Sequence, residues 1–119
     1  MAEKHSRMTE KGRCYWWTQR LWELSQDLPI ISVDISSIKE FEQNCWFFTL
    51  EDATCKAVAR HAQRIFQANL SYPIILSAEG FLMDGGHRLS KAWLNGMTQI
   101  NAVRFEVDPE PDWVEALEE

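Results

Sequence analysis

The stretch YPIILSAEGFLMDGGHRLSKAWLNG, residues 72–96, decides how this chain folds. PIIL (73–76) is a short continuous apolar run bounded by a turn, the pattern of a strand buried on both faces. SAEG turns the chain, and FLMD (81–84) reads as a second short strand. Asp84 closes that strand and Leu89 lies in the first turn of a helix. Its inner face is Leu89, Ala92 and Trp93, and Gly96 stands where a helix ends.

On the C-terminal side, NAVRFEV alternates Val103, Phe105 and Val107 against Arg104 and Glu106, as a strand with one buried face does. On the N-terminal side, residues 51–67 read as the longest helix. Thr49 and Asp52 have capping-box spacing, Val58, Ala62, Ile65 and Phe66 form the apolar stripe, and Lys56, Arg60, Gln63 and Gln67 form the polar one. Residues 39–50 are aromatic-rich without a period and read as a loop with a short strand. PIISVDISSI alternates Ile31, Val33 and Ile35 against Ser32 and Asp34. From Arg13 to Leu28 the set Trp17, Leu21, Leu24 and Leu28 follows helical spacing, and Pro29 marks its end. The expected order is helix, strand, helix, strand, strand, helix, strand. This is a single α+β domain over residues 12–108, a small mixed sheet packed with about three helices. Residues 1–11, polar and aperiodic, are expected to be disordered, and residues 109–119 to form an acidic tail.

Composition narrows the function classes. The formal net charge is −6, but from Glu106 onward there are seven acids and no base, whereas residues 53–105 carry six bases and two acids. That local excess suits a small anion such as a nucleotide and is thin for a DNA duplex, so DNA is not the expected partner. There is no run of about 18 apolar residues, hence no membrane span, and no apolar signal-peptide core. Cys14, Cys45 and Cys55 are scattered without CxxC spacing, as reduced cytoplasmic thiols are, and do not suggest a zinc site. Of six tryptophans, Trp17 and Trp93 are expected in the core. Trp16, Trp22, Trp46 and Trp113 are a surplus that suits a homodimer or a partner surface, the Trp16–Trp22 helix above all.

Between strand and helix, Gly85 and Gly86 can adopt backbone angles closed to other residues and let a ligand approach the main chain. Amides at a helix start lack intrahelical partners and carry the positive end of the dipole, an arrangement that binds phosphate. Arg88 would add a forked donor, Lys91 a second charge, and His87 a hydrogen bond or a mobile proton. Asp84 could meet a Mg²⁺ ion beside the phosphates or accept a proton. The same residues also fit a plain tight turn. His61, Arg60 and Arg64 share the long helix, and a solvated face is their simpler reading.

Residues 72–96, with the helix before them and INAVRFEVD after them, resemble the ParB N-terminal and sulfiredoxin superfamily, close to short bacterial ParB-like proteins. The resemblance spans roughly residues 28–108 and rests on PIIL, the turn, and a DG-x-HR motif matched by Asp84, Gly85, His87 and Arg88. It implies a compact α+β fold whose glycine turn and helix start hold a nucleoside di- or triphosphate with Mg²⁺. Members include CTP-hydrolysing partition proteins, ATP-using sulfiredoxins and an ADP-using free-serine kinase. Sulfiredoxins place a catalytic cysteine directly before His-Arg, where this chain has Gly86, so sulfinic-acid repair is not expected. Partition proteins continue into a helix-turn-helix domain with no counterpart in these 119 residues. The serine kinase has the nearest motif, with Gly86 in place of its first histidine. Its catalytic base precedes the preceding helix, which points to Glu51 or Asp52 beside Asp84. The resemblance therefore implies a nucleotide-binding domain, an NTPase or small-molecule kinase. The alternative is a non-catalytic interaction or regulatory module that keeps the fold.

Overall fold

Two sheets share one interior. The structure, a computed structural model, describes residues 3–47 and 52–116. Strands β1 (Lys4–Thr9) and β2 (Gly12–Trp17) form an antiparallel hairpin, and β2 runs directly into helix α1 (Thr18–Ser25). Strand β3 (Ile31–Asp34) is followed by two short 3-10 turns, Ile35–Ser37 and Lys39–Glu42. Helix α2 (Cys55–Gln67), strands β4 (Ile74–Leu76) and β5 (Leu82–Asp84), helix α3 (Gly86–Leu94), strand β6 (Gln99–Arg104) and strand β7 (Trp113–Glu115) complete the chain. The mixed sheet has the order β3-β6-β4-β5, with β4 and β6 parallel and the other pairs antiparallel. The second sheet is antiparallel with the order β1-β2-β7.

Strand β4 is buried at every position because the mixed sheet is covered on both sides. Ile74 and Leu76 join Leu82, Leu89, Ala92, Ile100 and Ala102 in a core under α3. Ile75 points the other way, to Met83, Val103, Phe105, Leu21, Cys14 and Trp16. The period-2 alternation of a strand thus feeds two cores from one apolar run, as the continuous PIIL pattern predicts. The hairpin is the second cover, and it corrects the expectation of a disordered start. The sequence pattern conceals it because the inward residues of β1 include His5 and Arg7, set against Trp16, while Met8 on the other face is 54% exposed. Strand parity also reverses two tryptophans. Trp16 is 2% exposed and donates from Nε1 to the Pro109 carbonyl at 2.8 Å, whereas Trp17, expected in the core, is 39% exposed. The helical spacing read from Arg13 onward applies only after Thr18, where Thr18, Leu21 and Ser25 are buried and Leu24 is not.

Three further expectations are corrected. Residues 113–115 of the expected tail return as β7 against β2, where Trp113 stacks on Tyr15 at 4.7 Å. Two acids beside it are bound, Asp108 by Arg7 at 3.0 Å and Asp112 by Arg20 at 3.3 Å, so cross-chain pairing replaces plain solvation. Helix α2 is capped by Thr54, whose hydroxyl accepts from the Ala57 amide, and its buried residues are Ala57 and His61. Val58 and Phe66 of the expected apolar stripe are exposed. Thr49, the expected cap, lies outside the described residues. Trp93, expected inside, is 57% exposed because α3 turns only Leu89 and Ala92 fully inward.

Gly12 closes the hairpin at φ +123°, and a Cβ there would stand 2.1 Å from the Glu115 carbonyl oxygen. Gly96 has φ +79° with nothing within 4 Å. Gly96→Ala should therefore cost only backbone strain, about 1–2 kcal/mol in urea unfolding. Gly12→Ala should cost more and also displace β7, read as loss of the Tyr15–Trp113 near-ultraviolet circular dichroism signal.

Candidate functional site

The turn from β5 into α3 opens on a cleft of about 870 Å³. Its walls are β1, the start of α1, the loop at 43–46, the end of α2 and the turn itself. Asp84 ends β5, and Gly85 follows as the N-cap of α3 at φ +115°. A Cβ on Gly85 would lie 2.5 Å from Cγ2 of Ile74, so the buried strand and the left-handed angle both require glycine there. The first intrahelical bond runs from the Leu89 amide to the Gly85 carbonyl at 2.9 Å. The amides of Gly86, His87 and Arg88 precede it and have no partner within the helix, and Gly85 has no side chain to cap them. These residues line the cleft.

Asp84 and Arg88 are already paired. Arg88 donates from Nη2 to Asp84 Oδ2 at 2.6 Å, and Trp22 donates from Nε1 to the same oxygen at 2.7 Å. The carboxylate thereby ties α1 to the start of α3 and sets the guanidinium beside the turn. Arg64 also lines the cleft and pairs with Glu3. Lys91 lies elsewhere: its Nζ donates to the carbonyls of Phe66 and Ala68, both at 2.8 Å, at the end of α2. That is the favourable place for a cation on a helix dipole. Arg60 is exposed, as is Asp52. Glu51 lies outside the described residues. Among the described residues no group of three or more His, Cys, Asp or Glu could hold a metal ion.

A second set of groups is joined by contacts that the sequence does not show. His61 Nδ1 and His87 Nε2 share a hydrogen bond at 2.8 Å, and Trp46 lies over both rings, 4.6 Å from each. Burial, then the nearby charges of Arg64, His61 and Arg88, hold the His87 pKa down at about 4. On the opposite wall, burial and Arg7 hold His5 at about 4 against the pull of Asp108. His5 Nε2 and Arg7 Nη1 are buried without a hydrogen-bond partner among the described residues. Both imidazoles are neutral near pH 7, so the cleft presents neutral donors and acceptors beside paired charges. His61 was legible only as a residue on the flank of a helix, and Trp46 only as one of four surplus tryptophans suited to an interface. His5 was hidden in the polar N-terminus.

Compared with protein-family models, with curated proteins and with solved structures, the chain matches none. Its class is thus given by its own architecture, an α+β domain with one mixed and one antiparallel sheet and three helices. Among the described residues no helix is long and apolar enough to cross a membrane.

The two depressed histidines make stability pH-dependent. Their folded pKa values are about 4 and the ordinary imidazole value is 6.5, so as pH falls below 6.5 the unfolded chain takes up protons first. Stability should fall between pH 6.5 and 4, with a slope of at most about 1.4 kcal/mol per pH unit for each histidine. Urea unfolding at pH 7, 6 and 5 should show a shallower fall for His87→Asn than for the native chain.

Proposed function

We propose that this chain binds a nucleoside di- or triphosphate in the 870 Å³ cleft, with its phosphates on the uncapped start of α3. The observation that carries the reading is the Gly85 turn, which leaves the amides of Gly86, His87 and Arg88 beside the cleft without a capping side chain. Such amides, with the helix dipole, favour an anion. The cleft also holds aromatic surface from Trp22, Trp46 and Tyr72, suited to a base. Asp84, Gly85, Gly86, His87 and Arg88 are the contact residues of this proposal. The resemblance of residues 72–96 to ParB and sulfiredoxin domains supports it.

Arg88 would reach phosphate oxygens while keeping one nitrogen on Asp84, since a guanidinium has five donors. A Mg²⁺ ion would arrive with the phosphates and meet Asp84, the acid at the turn, because this ion commonly uses one or two carboxylates plus substrate phosphates. With Asp84 Oδ2 occupied by Trp22 and Arg88, its first role in this proposal is positioning. Turnover, as an NTPase or small-molecule kinase, would need a further group to orient the acceptor. A regulatory module that binds nucleotide without turnover uses the same contacts.

Thermal unfolding with ATP, ADP, CTP or GTP and Mg²⁺ tests the reading. Ligand at 100 times its Kd should add about 2.7 kcal/mol. A Cβ at Gly86 makes only ordinary contacts, the nearest 3.5 Å to Trp46. Gly86→Asp should therefore fold, and an acid in the first helical turn is itself favoured by about 0.3–1 kcal/mol. Its carboxylate would sit where the phosphates bind, so the nucleotide shift should vanish while Gly86→Ala retains it. No shift with any nucleotide in the native chain, or an undiminished shift in Gly86→Asp, refutes the proposal.

A further inference from the structure

His87 lends its amide to the proposed phosphate site, whereas its ring pairs with that of His61 in a flat arrangement within the cleft. The two imidazole planes lie 6° apart with centroids at 5.1 Å and a 2.8 Å bond between nitrogens, so the rings stand side by side in one plane. Trp46 is parallel to each, at 7° and 6°, and 4.6 Å from each. Two coplanar rings stacked on one indole must cover the same face of it. Phe47 meets both Trp46 and His61 edge-on, at 88° and 83°, which fixes the loop against the pair. The indole is thus braced from one side, partly buried, and lines the cleft.

We propose that Trp46 is the stacking platform for the base of the nucleotide, with the His61–His87 plane as its backing. The inference rests on the nucleotide reading above and assigns the end of the ligand that the helix start leaves undefined. Geometry joins the two ends. Gly86 is the first residue of α3, and a Cβ on it would lie 3.5 Å from Nε1 and 3.6 Å from Cζ2 of Trp46. The edge of the indole therefore stands against the first turn of the helix, and a ring stacked on the face opposite the histidines would hang beside phosphates held by that turn. Every nucleobase offers a π-face, so stacking on an indole fits a nucleotide irrespective of its hydrogen-bonding edge. A rigid ring already ordered by its backing loses little freedom when the base arrives.

The test compares ATP with inorganic tripolyphosphate, which has the phosphates and no ring, by isothermal titration calorimetry. The native chain should bind ATP more tightly than tripolyphosphate. Trp46→Ala should weaken ATP roughly 5- to 150-fold, the range for one stacked base, and leave tripolyphosphate unchanged. Trp46→Phe should retain most of the ATP affinity. Quenching of tryptophan emission by ATP should be present in the native chain, absent with tripolyphosphate, and lost in Trp46→Phe although ATP still binds. That emission result decides the matter if Trp46→Ala does not fold. Equal affinity of the native chain for both ligands, or quenching that persists in Trp46→Phe, overturns the platform and leaves the phosphate reading standing. Binding of neither ligand overturns both.

Discussion

The contact of Gly85 with Ile74 is the constraint on which the site depends. Ile74 is fully buried in the central parallel pair, and its Cγ2 occupies the place a Cβ at position 85 would need. Position 85 must therefore be glycine, and its φ of +115° carries the chain from β5 into α3. The helix start then sits at the end of the sheet, with Asp84 before it and Arg88 one turn after. Any side chain at position 85 would either push Ile74 out of the core or tilt α3. Core packing and site geometry are here the same interaction.

The N-terminal hairpin gives the site its second wall. Its inner face covers Ile75, Met83, Val103 and Phe105 with Cys14 and Trp16, while His5 and Arg7 reach the cleft. Carrying such residues inward costs desolvation, and two features offset part of it. Asp108 accepts from Arg7 at 3.0 Å, and the guanidinium lies over the rings of Trp16 and Phe81 at 5.3 and 5.4 Å. Among the described residues, His5 Nε2 and Arg7 Nη1 remain buried without a hydrogen-bond partner, which adds to the cost of this wall.

The legible part of the sequence was the part whose pattern has one cause. PIIL is apolar because both faces of its strand are buried, FLMD ends on an acid at a turn, and Gly85 is glycine because its angle and its neighbour demand it. The hairpin was illegible because two causes are mixed in it. Its inward residues include a histidine and an arginine, and its outward residues include tyrosine and tryptophan, the reverse of the rule that marks a half-buried strand. β7 was masked in the same way by surrounding acids whose partners, Arg7 and Arg20, lie about 90 or more residues away in sequence. In α2 the exposed Val58 and Phe66 imitated a core face, whereas the face that is buried carries His61. The strand–turn–helix geometry of residues 84–88 was readable locally, but the histidine pair was not. It joins positions 26 residues apart through a helix–helix contact that no short-range pattern encodes.

Burial and charge placement together favour a neutral ring at His87. Burial first, and then the charges of Arg64 and Arg88, oppose an imidazolium at His87, and the positive end of α3 acts in the same direction. A neutral ring escapes this repulsion, keeps one nitrogen to donate and one to accept, and so can bond its neighbour in a single plane. The same three positive features attract an anion. An anion bound at the helix start would offset them and raise the proton affinity of His87 from its depressed value. Under the proposed reading, a ligand at this turn and the protonation of the ring behind Trp46 would therefore be coupled. Coulomb's law sets the sign of that coupling: each would favour the other.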